Sequence, residues 1–109
     1  MKVVGILGWF FKKEDEFGRS GAWPRVRREH LEENPECMAC GRKKSLEVHH
    51  IVPYHEKPEL ELDRSNLVSL CGDPCHFVFG HLMNWRRANP DVLSDCQGYR
   101  QKIRGMRDA

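Results

Sequence analysis

The sequence predicts a small α+β domain whose core is supported by bound metal. Three observations predict it. Two short segments, Leu46–Ile51 and Leu67–Leu70, have strand character. Two cysteine pairs bracket them, Cys37 with Cys40 and Cys71 with Cys75. Helix-forming stretches lie on either side, punctuated by Asn34-Pro35 and Asn89-Pro90. The chain has 109 residues, 39% hydrophobic and 31% charged. That length suits one domain with a small core, the situation in which metals commonly add support.

The elements follow in order. Residues 1–22 form a lead-in: an apolar run ending in Trp9, Phe10 and Phe11, a charged run, then Gly18-Arg19-Ser20-Gly21. The domain proper is expected over 23–109. Pro24 suits the first turn of a helix reaching about Glu33, with Val26, His30 and Leu31 on its apolar stripe. Cys37-Met38-Ala39-Cys40-Gly41 predicts a knuckle, a tight turn aiming two thiolates at one point. The first strand is Leu46–Ile51; a loop punctuated by Pro53 and Pro58 leads to the second strand, Leu67–Leu70. After the Gly72-Asp73-Pro74 turn, a helix is expected from about Cys75 to Ala88, with Trp85 packed where it meets a last helix near Asp91–Gly105. That last helix places Val92, Cys96, Tyr99 and Ile103 on one stripe, so Cys96 is expected in the core.

The apolar run at Val3–Phe11 is too short to span a bilayer, and no small-residue cleavage site follows it. The expectation is a cytoplasmic, reducing setting, in a bacterial or phage-infected cell. There paired cysteines bind metal in preference to forming disulfides. Net charge is only +2, but Leu82–Ala109 has six basic against three acidic side chains, net +3. Such a basic C-terminal helix suits a phosphate backbone, or simply a solvated face.

Two chemical kits share the middle of the chain. Cys37, Cys40, Cys71 and Cys75 supply the four thiolates of a closed structural zinc site. The second pair is spaced C-x3-C, and thirty residues separate the pairs, enough for both strands and their loop. The other kit is His49-His50, Asn66 and His76. Imidazoles can hold a divalent cation, and one near neutral pKa can activate water for phosphodiester hydrolysis. Adjacent side chains on a flat strand point to opposite faces, so His49 and His50 can serve one site only where the strand ends or bends. Pro53 is consistent with such an end. Asn66, just before the second strand, is placed to brace the loop.

In order, C-x2-C, V-H-H-I-V-P, N-L-V-S-L-C and C-H resemble the HNH endonucleases, with their ββα-metal fold. The resemblance covers about Pro24–Pro90, and the stretch Cys75–His81 resembles a phage and bacterial subgroup. It implies His50 as general base, His49 and His76 as metal ligands, and Asn66 as orienting residue. It also implies DNA cleavage with one divalent metal, leaving 5′-phosphate and 3′-hydroxyl ends. His49 stands where many members carry Asp, so the site is all-nitrogen and the catalytic metal is one of Mg2+, Mn2+, Ni2+ or Zn2+.

His81 lies five residues after His76, about 140° around a regular α-helix. It becomes a third ligand only if the helix start is distorted, which Gly80 permits; otherwise it is a phosphate contact or a structural hydrogen bond. His55 is a weaker candidate, and Glu47 reads as an exposed strand carboxylate on the His49 face. Arg86 and Arg87 are candidate nucleic-acid contacts, because a planar guanidinium clamps phosphate. The expected partner is double-stranded DNA, read with low intrinsic specificity because so small a domain offers little contact area. Two alternatives remain: a non-catalytic zinc-stabilised nucleic-acid-binding module, and a phage packaging accessory nickase needing a protein partner. The first has no need of an imidazole cluster.

Overall fold

The computed structural model of the protein describes residues 20–108. Most of the expected lead-in, including Trp9, Phe10 and Phe11, lies outside them. Helix α1 runs Trp23–Glu33. Pro24 sits in its first turn, where a missing N–H costs nothing. Asn34 closes it, its backbone N–H donating to the His30 carbonyl at 2.8 Å. Val26 and His30 are its buried residues.

The knuckle follows. Cys37 donates its N–H to the Arg42 carbonyl, and Gly41 donates to the Cys37 carbonyl. Gly41 has φ +83, a left-handed conformation that favours glycine. A Cβ there would also meet the Arg100 guanidinium at 3.0 Å. Met38 donates to the Ser69 carbonyl, which ties the knuckle to the sheet.

Strands β1 (Leu46–His50) and β2 (Leu67–Cys71) pair antiparallel, with Leu46 opposite Cys71 and His50 opposite Leu67. All five β2 residues are buried, as expected of a strand covered on both faces. Short 3-10 turns at Pro58–Leu60 and Arg64–Asn66 lie within the loop between the strands. The core gathers Cys37, Val68, Leu70, Cys71, Val92 and Cys96. Cys96 is fully buried, and burial first, then the neighbouring Cys37 and Asp95, push its thiol up to about 12.

The regular helix expected over Cys75–Ala88 does not form. Cys75 opens a short turn that is π-helical over His76–Gly80. It stops at once, because Leu82 and Met83 adopt φ 55 and 63, which breaks any continuing helical ladder. Trp85 is therefore not packed in a hinge; it is 60% exposed. Helix α2 spans Val92–Asp108, starting and ending a little later than expected. Asn89 joins it to the π turn: its Nδ2 donates to the Phe79 carbonyl and to Asp95 Oδ2, both at 2.9 Å. Tyr99 is partly exposed but rests on Phe79, ring centroids 5.1 Å apart. Arg100, one of the basic tail residues, binds the Cys37 carbonyl and Glu36 and so docks α2 on the knuckle. Among the described residues no helix is long and apolar enough to cross a membrane.

Candidate active site

Four sulfur atoms meet where the knuckle, the end of β2 and the start of the π turn converge. The Sγ atoms of Cys37, Cys40, Cys71 and Cys75 all lie within 4.8 Å of one another. The edge of a tetrahedron with Zn–S bonds of about 2.3 Å is about 3.8 Å. Cys40 Sγ and Cys71 Sγ stand 3.9 Å apart. Burial resists ionisation of Cys37, yet N–H groups of Cys40, Cys71 and Ala39 outweigh it and bring the thiol down to about 7. Burial and the neighbouring thiols hold Cys75 up. Thiols packed this closely cannot all ionise unless a cation joins them, so the donor set fits zinc.

One residue on, His76 begins a second cluster. The donor nitrogens of His49, His76 and His81 also lie within 4.8 Å of one another. His76 Nε2 is 3.2 Å from His49 Nδ1 and 3.3 Å from His81 Nε2. Those spacings match the edge of about 3.3 Å expected for a tetrahedron with Zn–N bonds near 2.05 Å. The π turn makes the third ligand possible. Its bonds run from residue i to i+5, so residues five apart stack on one face. A regular helix would have turned His81 away.

Hydrogen bonding fixes which nitrogens face inward. His76 Nδ1 donates to Glu47 Oε1 at 2.7 Å, and His81 Nδ1 donates to the Arg87 carbonyl at 2.7 Å. Both partners can only accept, so in neutral rings the lone pairs of His76 and His81 sit on Nε2 and confront each other. A proton or a cation must lie between them. Burial first, then neighbouring imidazoles, lower the His49 pKa to about 3. His81 is also lowered, chiefly by burial. His49 and His81 are thereby kept neutral near pH 7, as metal ligation requires. Gly80 lets His49 approach: a Cβ there would stand 3.0 Å from its Cε1 and Nδ1.

His50 ends β1 and is 8% exposed. Its Nε2 donates to the Glu61 carbonyl at 2.9 Å, which in the neutral ring leaves the lone pair on Nδ1. Trp23 packs on the ring, centroids 4.6 Å apart. Asn66 is buried and holds the loop after β1: Oδ1 accepts from Val52 N–H at 2.8 Å, and Nδ2 donates to the Val52 and Leu60 carbonyls. It thereby fixes the segment leading to Glu61.

A cleft of about 310 Å³ brings these groups together. His49, His50, His76 and His81 line it, together with Trp85, Arg86 and Arg87. His55 also lines it but is strongly exposed and pairs only with Glu56 among the described residues. His30 is buried in α1, away from the cleft.

Residues 37–77 match the family model of HNH endonuclease. Over that segment, somewhat over a third of the chain, the protein is similar to the HNH family. The matched segment holds all four cysteines, both residues of the His pair, Asn66 and His76. It stops short of His81, Trp85, Arg86 and Arg87. Comparison with curated proteins gives no match, and comparison with solved structures gives none either. The similarity to HNH endonucleases and the two donor clusters point to a nuclease-related role with sites suited to metal.

Sequence reasoning missed Trp23 and the Glu61 carbonyl. It placed Glu47 on the His49 face but read it as an exposed strand carboxylate, whereas it bonds His76. The Glu61 contact had no sequence signal, since a backbone carbonyl has no residue identity.

Proposed function

We propose that this protein is a metal-dependent DNA endonuclease of HNH type. The observation that supports it most is the confrontation of the His76 and His81 lone pairs at 3.3 Å, in a cleft shared with His50. In this reading His49, His76 and His81 hold one divalent cation. Bound there, it supplies a positive charge for the scissile phosphate and the leaving oxygen.

His50 takes the proton from the attacking water through Nδ1. The Glu61 carbonyl holds the ring in the tautomer that leaves this nitrogen basic. Asn66 acts as a positioning residue, through the loop rather than through the imidazole itself. Arg86 and Arg87 hold backbone phosphates on the cleft wall. A structural zinc on Cys37, Cys40, Cys71 and Cys75 keeps β2 and the π turn in place, so that Cys75 anchors the ligand beside it.

Incubation of supercoiled plasmid with protein loaded with Mg2+, Mn2+, Ni2+ or Zn2+ tests the reading. Cleavage with at least one metal, giving 5′-phosphate ends, is expected. Protein that binds DNA but leaves plasmid and single strands uncut with all four metals is a binding module instead.

A further inference from the structure

We propose that Trp85 is a stacking platform for an unpaired nucleobase next to the scissile phosphate. The preferred substrate is then DNA with unpaired bases, such as a gap, bulge or single strand, in place of intact duplex. This inference rests on the nuclease reading above and names the substrate class of the same site.

Trp85 is 60% exposed, an unusual position for so large an apolar ring. The indole packs on His81 at 4.8 Å, Phe77 at 4.9 Å and His76 at 5.4 Å, centroid to centroid. It therefore sits directly beside two of the three imidazoles of the metal cluster. The chain is strained to put it there, since Leu82 and Met83 are consecutive non-glycine residues with positive φ. The turn is then pinned. Asn84 N–H donates to the His81 carbonyl, Asn84 Oδ1 accepts from Arg86 N–H at 3.0 Å, and the Asn84 carbonyl accepts from Arg87 N–H at 2.8 Å. A fixed aromatic ring that is partly solvent-facing is poor packing and good recognition.

Arg86 and Arg87 supply the charge. Both are exposed and line the same cleft, and neither guanidinium pairs with a carboxylate among the described residues. An aromatic face flanked by cationic side chains is how proteins bind single strands: bases stack, and the cations follow the backbone. In an intact duplex each base is already stacked on its neighbours, so the indole gains a partner only where a base is free. The family match ends at Phe77, before this feature begins.

The test uses two DNA probes of one sequence, a full duplex and the same duplex with a short single-stranded gap. Metal-loaded wild type, Trp85→Phe and Trp85→Leu are compared by fluorescence anisotropy and by cleavage rate. Metal affinity of each is measured alongside. Leucine keeps an apolar cover on the imidazoles but offers no flat face. Wild type should prefer the gapped probe, and Trp85→Leu should lose roughly 5- to 150-fold of that binding, the range expected for one stacked base. Trp85→Phe should fall between, and duplex binding should change far less. A merely structural role would move metal affinity and both probes together, and that result overturns the proposal. So does an absent preference in wild type, or binding to neither probe. If wild type binds but never cuts, the nuclease reading fails while the ratio of the two probes still decides the role of Trp85.

Discussion

His76 and His81 meet Nε2 to Nε2 at 3.3 Å although they stand five positions apart in sequence. The π-helical turn and Gly80 together allow it: the turn brings the two rings to one side, and the glycine admits His49 against them. Gly80→Ala should therefore weaken metal binding at the imidazole cluster by about tenfold or more, equivalent to ~1.4 kcal/mol. The structural zinc should stay. Calorimetric titration checks this; unchanged affinity would mean that His49 does not need to approach so closely.

Glu47 orients His76 through a 2.7 Å bond to Nδ1. Partners of this kind typically contribute about 10- to 100-fold in metal affinity. Glu47→Ala should lose affinity in that range. Glu47→Gln should lose less, because its amide oxygen still accepts the same proton. Equal losses in the two variants would point to the carboxylate charge, not to orientation.

Much of this site was legible in the sequence, and the rest was not for physical reasons. The thiol quartet and the His pair were visible because ligand chemistry restricts residue type and spacing, as at Cys37 and Cys40. The strands followed from apolar runs, and α1 from Pro24 and Asn34-Pro35. The π turn was not legible: periodicity assumes 3.6 residues per turn, and the extra residue that seats His81 leaves no pattern beyond a glycine. Trp85 was misplaced for the same reason, because a regular helix to Ala88 would have carried it inward. Arg100 counted as tail charge in the sequence but is engaged by Glu36 and the Cys37 carbonyl.

The four-thiol site predicts stoichiometric zinc that survives washing with a weak chelator. Cys71→Ser removes a ligand that is also a fully buried core residue. Metal binding is coupled to folding in such sites, so stability should fall by about 2 kcal/mol or more, or ~8–16 °C in Tm. Elemental analysis and thermal unfolding of the two proteins check it. Well-folded, zinc-free wild-type protein would remove the site from the fold.

His30 gives a pH dependence that is independent of the metal clusters. Burial first, then the Arg64 charge, lower its pKa below the ordinary 6.5. Below that value the unfolded chain takes up a proton that the folded chain resists. Stability from this group is thus complete above about pH 6.5 and is lost as pH falls through the lowered value, at no more than ~1.4 kcal/mol per pH unit. His30→Leu should lose less stability than wild type between pH 7 and pH 5. Urea titrations at both values measure the difference; parallel losses would show that His30 is protonated equally in both states.

Proton transfer by His50, in a cleft whose metal is held by other residues, is tested most directly by measuring cleavage, DNA binding and metal affinity in one preparation of His50→Ala. Cleavage should fall by ~10²–10⁴-fold, the usual contribution of a general base. DNA and metal binding should remain near wild type, because Nε2 of His50 is bonded to the Glu61 carbonyl and His50 lies outside the three-imidazole cluster. A His50→Ala protein that cuts DNA at the wild-type rate would contradict the account.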